Sequence, residues 1–196
     1  MNFHETESTA NSVERPINLA RLFGRVAPVE VDLGSGHGSF LLAMAAKFPE
    51  RNFLGVEHYG RRVRKTERFA TDRGLGNVRM LMCENEYAVQ RLFAPESVDV
   101  FHVAFPDPWP KRRHWPRRLI NDDFLNAIRR ALRPGGELRA QTDHTGYGGW
   151  IDAIVARRTD FARLEWMDDP GYPRTDFEER FAGQRFYRAR LSAVKN

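Results

Sequence analysis

Residues 29–40 read "VEVDLGSGHGSF". The first five alternate apolar and acidic side chains and are rich in valine, which predicts a strand buried within a sheet. Gly34, Gly36 and Gly38 follow, and then Phe40, Met44 and Phe48 recur every four residues until Pro49, the stripe of a helix. A strand that runs through three glycines into a helix makes a corner where backbone can approach a ligand without a side chain in the way. The spacing is G-x-G-x-G, with Ser39 where a dinucleotide-binding loop carries its third glycine one residue later. Asp32, directly ahead of the loop, would repel a pyrophosphate and suits a ligand that carries positive charge.

The same rhythm extends outward on both sides. "INLARLF" (17–23) predicts a short entry helix. "NFLGVE" (52–57) is a second strand, closing on Glu57, and a cationic helix spans about 60–73. "VRMLM" (78–82) and "VDVFHVA" (98–104) are further strands, with "AVQRLF" a short helix between them. Asn121 caps a helix whose first turn holds Asp122 and Asp123 and whose stripe is Phe124, Ile128 and Leu132, stopped by "RPGG". "GELRAQTD" (136–143) is a fifth strand and a helix covers about 147–158. Late strands fall near 162–167 and 186–194, the second with Tyr187, Ala189, Leu191 and Ala193 on one face. Alternating strands and helices at this spacing predict an α/β fold with a mainly parallel sheet and helices on both faces. The last two strands lack a long helix between them, which predicts an antiparallel C-terminal edge hairpin. Residues 1–14 are expected to be a mobile tail, and 15–196 one domain. Ligands of such sheets sit beyond the carboxyl ends of the strands, where Asp32, Glu57, Asn85, Asp107 and Asp143 fall.

With 41% hydrophobic residues in a chain of 196, a sizeable core is expected and wholesale disorder is excluded. The net charge of +5 favours a polyanionic partner. Cys83 has no second cysteine to pair with, and the first residues show neither the basic nor the apolar segment of a signal peptide. A cytoplasmic protein without membrane spans is expected. The histidines show no ligand spacing, so no metal is expected.

The basic charge is concentrated after the fourth strand, in "AFPDPWPKRRHWPRR" (104–118). Pro106 and Pro108 stiffen the backbone on both sides of a single acid, Asp107. Lys111, Arg112, Arg113, Arg117 and Arg118 offer phosphate contacts, and Trp109 or Trp115 is either a base-stacking platform or a packing anchor. "TDFE" (175–178) fits a capping box, S/T-x-x-E, as well as a functional motif.

Taken in order, "VDLGSGHG", "GVEH", "FPDPWPKRRHWPRR", "TDH" and "RTDFEERF" resemble the bacterial tRNA (guanine-N7-)-methyltransferases from about residue 29 to the C-terminus. The resemblance implies a Rossmann-like class I methyltransferase with a seven-stranded sheet. It implies S-adenosylmethionine as cofactor and transfer of its methyl group to N7 of guanine 46 in the variable loop of tRNA. Position by position, it implies cofactor-binding roles for Asp32, Gly34, Gly36, Glu57, Asn85 and Asp107, with Asp107 also the catalytic acid residue. Lys111, Asp143, Thr175, Asp176, Phe177 and Glu178 are implied substrate-binding positions. Trp115 and Pro116 depart from the family pattern, which has a small polar residue and a lysine there. Two other readings stay open on the residues themselves. "DPW" is similar to the D-P-P-W/Y loop of exocyclic-amine methyltransferases, and the basic segment alone suits an RNA-binding module without a cofactor.

Overall fold

A computed structural model describes residues 16–166 and 172–194. The expected N-terminal tail lies outside the described residues. The chain forms strands β1 (Val29–Leu33), β2 (Asn52–Val56), β3 (Val78–Leu81), β4 (Val98–Ala104), β5 (Leu132–Thr142), β6 (Phe161–Leu164) and β7 (Tyr187–Ala193). Its helices are α1 (Leu19–Phe23), α2 (Ser39–Lys47), α3 (Gly60–Asp72), α4 (Asn85–Tyr87), α5 (Asp122–Ala131), α6 (Thr145–Val155) and α7 (Asp176–Arg180).

The strands make one sheet in the order β3-β2-β1-β4-β5-β7-β6. The first five pair in parallel, and β7 runs antiparallel between β5 and β6, as the late strand pattern predicts. The order reverses between β1 and β4, so the loops beyond those two strands diverge and leave a crevice.

Alternation along the strands sets the two faces. Val31, Leu33, Phe101, Val103 and Leu138 join α5 and α6 in the larger core, while Phe53, Val78 and Met80 meet α2 and α3 in a smaller one. The residues between them in sequence carry charge into the sheet. Glu30 is buried, and burial alone would raise its pKa. His102 Nε2 at 2.7 Å and Arg51 Nη1 at 2.7 Å more than offset that, and its pKa lies below the ordinary value.

Three local expectations shift. "RPGG" does stop α5, which ends at Ala131, but the fifth strand begins there and not at residue 136. The motif lies inside β5, where Leu132 pairs with Val98 before the register slips to Val100–Glu137. The glycines explain this: Gly135 has φ 79°, and a Cβ on Gly136 would lie 2.9 Å from the Asp99 carbonyl oxygen. Helix α6 starts at Thr145, earlier than its apolar stripe suggests, because His144 Nδ1 accepts the Tyr147 amide at 3.0 Å and caps it. In α2 the buried positions are Leu41, Leu42, Met44 and Ala45, with Phe40 and Phe48 at the rim. Among the described residues no helix is long and apolar enough to cross a membrane.

Gly38 caps α2 at φ 75° and is buried against α3. A Cβ there would lie 2.5 Å from Thr66 Oγ1, and Thr66 is itself fully buried. Gly38→Ala should therefore lower unfolding stability by about 1–3 kcal/mol, read from urea midpoints. A wild-type midpoint would show that this corner yields freely.

Candidate active site

Beyond β1 and β2 the glycine loop is tied down by its own amides. Gly34 N and Ser35 N both donate to the Val56 carbonyl, at 2.9 and 3.0 Å, and Gly38 N donates to Ser35 O at 2.9 Å. Gly34, Gly36 and Gly38 all have positive φ, so each position calls for glycine. Asn85, at the start of α4, reaches this loop: its Nδ2 lies 3.3 Å from where a Cβ on Gly34 would stand. Glu57 directly follows β2 and is 3% exposed. Its Oε1 accepts from Tyr59 N at 2.9 Å, and its Oε2 from Arg62 Nη1 at 3.3 Å. Asp32 is buried at the end of β1, and its pKa is pushed up to about 6 by desolvation, with Glu57 adding repulsion against a partial pull from His102. The sheet thus brings Asp32, Gly34, Gly36, Glu57 and Asn85 to one end of the crevice. Two buried carboxylates on a glycine cradle suit a ligand with an ammonium or sulfonium group and a hydroxylated sugar, and oppose a phosphate chain.

Beyond β4 the chain turns sharply. Phe105 N still donates to Gln141 O at 2.9 Å, continuing the strand pairing. Phe105 then adopts φ 52° and Trp109 φ 44°, two bulky residues in the left-handed region on either side of Asp107. Such conformations persist only where surroundings enforce them. The Phe105 ring stacks on Phe177 at 4.2 Å and meets Phe186 edge-on at 5.1 Å. Trp109 meets His114 edge-on at 5.6 Å and carries the Arg117 guanidinium 5.0 Å from its ring centre. Asp107 itself is exposed, as are Lys111, Arg112, Arg113 and Arg117. The basic stretch winds into a 3-10 turn over Arg112–Arg117. Neither positive-φ residue is signalled in the sequence, beyond the prolines that flank the acid.

Arg118 corrects the reading of the basic stretch. It is not a surface phosphate contact but 1% exposed, because its guanidinium lies among the rings of Trp115, Tyr147 and Trp150 at 4.7, 4.9 and 5.3 Å. Trp115 is accordingly a packing anchor, edge-on to Trp150 at 5.8 Å.

The run 175–178 forms a complete capping box. Thr175 Oγ1 accepts from Glu178 N at 3.2 Å, Glu178 Oε2 accepts from Thr175 N at 2.9 Å, and Glu178 Oε1 accepts from Arg188 Nη2 at 2.8 Å. Thr175 and Glu178 are buried, Phe177 packs on Phe105, and Asp176 faces outward. Asp143 is exposed just past β5. A cavity of about 600 Å³ opens between β4, β5 and the segment after α7, lined by His102, Gln141, Thr175, Glu178 and Arg188 among others. Asp32, the loop glycines, Glu57, Asn85 and Asp107 do not line it, although Phe40 and His102, which adjoin the glycine loop and Asp32, do. Among the described residues no three acidic, histidine or cysteine side chains are grouped to hold a metal.

This sheet order with its crevice is that of the class I S-adenosylmethionine-dependent methyltransferases. The antibiotic-resistance methyltransferase Kmr superimposes with a TM-score of 0.63 at 21% identity, over 91% of this chain and 92% of that one. The 16S rRNA methyltransferase KamB gives 0.60 at 19% identity, over 89% and 91%. A family model described as a putative methyltransferase matches residues 26–188. A tRNA (guanine-N(7)-)-methyltransferase of Syntrophotalea carbinolica is 34% identical over 88% of this chain and 76% of its own length. Proteins of the same name from Halorhodospira halophila and Yersinia pseudotuberculosis are 38% and 36% identical, over 84% and 87% of this chain and 73% and 72% of their own lengths. The chain belongs to the tRNA (guanine-N7-)-methyltransferase family.

The raised pKa of Asp32 has a consequence for stability, with a definite sign. In the unfolded chain this carboxyl titrates near 3.8, in the cofactor-free fold near 6. Below both values it is neutral in either state and costs nothing. Above both, the fold carries a buried charge at a cost on the order of 3 kcal/mol. Asp32→Asn should therefore be more stable than wild type at about pH 7.5, with the gap closing toward about pH 4. Urea unfolding of cofactor-free protein across that range checks this, and a gap independent of pH would refute it.

Proposed function

We propose that this chain transfers the methyl group of S-adenosylmethionine to N7 of guanine 46 in the variable loop of tRNA, in the cytoplasm. The observation that carries this reading is the presentation of Asp107. It is an exposed carboxylate on a backbone braced at both ends, one strand away from paired acids at a glycine cradle and beside a row of exposed cations. The names of the relatives support the choice of substrate.

Guanine N7 carries an in-plane lone pair and attacks without first losing a proton. The bound cofactor supplies an electrophilic methyl group on a sulfonium. Glu57 would hold the ribose hydroxyls, Asp32 would face the ammonium of the methionine part, and Asn85 and the backbone at Gly34 and Gly36 would border the adenosine. Asp107 accepts from the N–H edge of the guanine and stabilises the positive charge that spreads over the purine as the bond forms, an interaction stronger in the transition state than before it. It needs no general-base role. Alignment of the reacting atoms at about 3–3.5 Å supplies much of the rest.

Lys111, Arg112, Arg113 and Arg117 contact phosphates and position the RNA without reading its sequence. Asp143 and Asp176 border the substrate. Thr175, Phe177 and Glu178 act at one remove, by shaping the rim behind Phe105. N7 lies in the deep groove of A-form RNA, which side chains do not enter, so a base in a loop is the accessible target.

The test is nucleoside analysis of unmodified tRNA after incubation with the protein and methyl-labelled cofactor. N7-methylguanosine placed in the variable loop is the expected product. Label on an adenine or cytosine amine would replace this reading with the exocyclic-amine one, and absence of label would overturn it.

A further inference from the structure

Arg118 is a cation taken out of water beside a reactive loop. Its Nε donates to the Pro108 carbonyl at 3.0 Å, the residue directly after Asp107. Its Nη1 has no hydrogen-bond partner among the described residues. The three rings that surround it compensate part of the lost hydration through their negative faces, and burial still lowers its pKa from the ordinary arginine value. A stack of planar contacts of this kind suits a guanidinium and not an ammonium.

The cage is anchored in turn from α6. Tyr147 OH accepts from Ile120 N at 3.0 Å, and Trp150 Nε1 donates to Ile120 O at 2.8 Å, so both backbone groups of the residue two positions after Arg118 are held. A continuous chain of contacts therefore runs from α6, behind Asp143, through Ile120 and Arg118 to Pro108. It ends on the left-handed turn that presents Asp107.

We propose that Arg118 is a positioning residue for methyl transfer, acting through the Pro108 carbonyl to hold Asp107 in its reactive placement and making no contact with tRNA phosphate. This rests on the function proposed above, in which Asp107 serves the guanine. A misplacement of about 1 Å at a reacting group costs on the order of 10²-fold in rate, and a peptide loosened next to Asp107 is a displacement of that kind.

The experiment is a double-mutant cycle of Arg118→Met with Asp107→Asn, read by single-turnover methyl transfer at saturating tRNA and cofactor. Arg118→Met alone should slow transfer by about 10–100-fold. In the Asp107→Asn background it should cost less than about threefold, because the residue it acts through is already disabled. Cofactor affinity and the salt dependence of tRNA binding should match wild type. The triple change Arg112→Gln, Arg113→Gln, Arg117→Gln should instead reduce the slope of log K against log salt by about 0.7–0.9 for each phosphate no longer neutralised.

An equal loss from Arg118→Met in both backgrounds would overturn the proposal and make Arg118 a general support of the fold. A reduced salt slope for Arg118→Met would overturn it by making Arg118 a phosphate contact. Should the Met variant not fold, Arg118→Lys, which keeps the charge and the stem, goes through the same cycle under the same criteria. Failure of the wild type to form N7-methylguanosine would count against the proposed function. An active wild type with an unaffected Arg118→Met would count against this inference alone.

Discussion

The turn after β4 is the constraint on which the rest of the site depends. Two large aromatic residues, Phe105 and Trp109, sit in a backbone region that L side chains rarely adopt, and Asp107 lies midway between them. Each such residue costs on the order of 1–3 kcal/mol, so the surroundings must supply at least that much. On one side the rings of Phe177 and Phe186 grip Phe105. On the other, His114 and Arg117 hold Trp109, while buried Arg118 holds the carbonyl of Pro108. The segment that looks like a late, separate motif, residues 175–178, is therefore part of the same device. Its capping box fixes α7, and α7 fixes Phe177 behind the turn.

Charge is sorted by depth in the same region. The acids near the crevice, Asp32 and Glu57, are buried, while the cations from Lys111 to Arg117 are exposed. The inward acids suit a small cationic ligand and the outward cations suit an RNA backbone. The raised pKa of Asp32 records what this sorting costs the cofactor-free protein, since a charge that serves a ligand is poorly solvated before the ligand arrives. With Asp32 in the cofactor-binding role proposed for it, function and stability pull in opposite directions at this one residue.

Much of the architecture could be read from residue patterns because parallel strands are short apolar runs closed by polar ends. Val29–Leu33, Asn52–Val56 and Val98–Ala104 lie within a residue of where alternation puts them, and the positive φ of Gly34, Gly36 and Gly38 is what their spacing demands. "RPGG" stops α5 as expected, but the start of β5 at Leu132 was hidden, because the same two glycines make a bulge inside the strand, a choice set by packing against Asp99. Arg118 was misleading for a related reason. In a row of cations, the one that turns inward is decided by Tyr147 and Trp150, which lie far along the chain on α6. The capping box, a purely local pattern, was legible in full.

The central claim is that the braced turn exists to place a charged carboxylate against the guanine. The direct measurement is the single-turnover rate of methyl transfer by Asp107→Asn, which keeps the shape of the side chain and removes its charge. The account predicts a fall by a factor on the order of 10²–10³, the effect of removing one preorganised electrostatic interaction, with cofactor affinity nearly unchanged. A variant that transfers methyl groups at the wild-type rate would show that Asp107 only shapes the turn, and would contradict the mechanism.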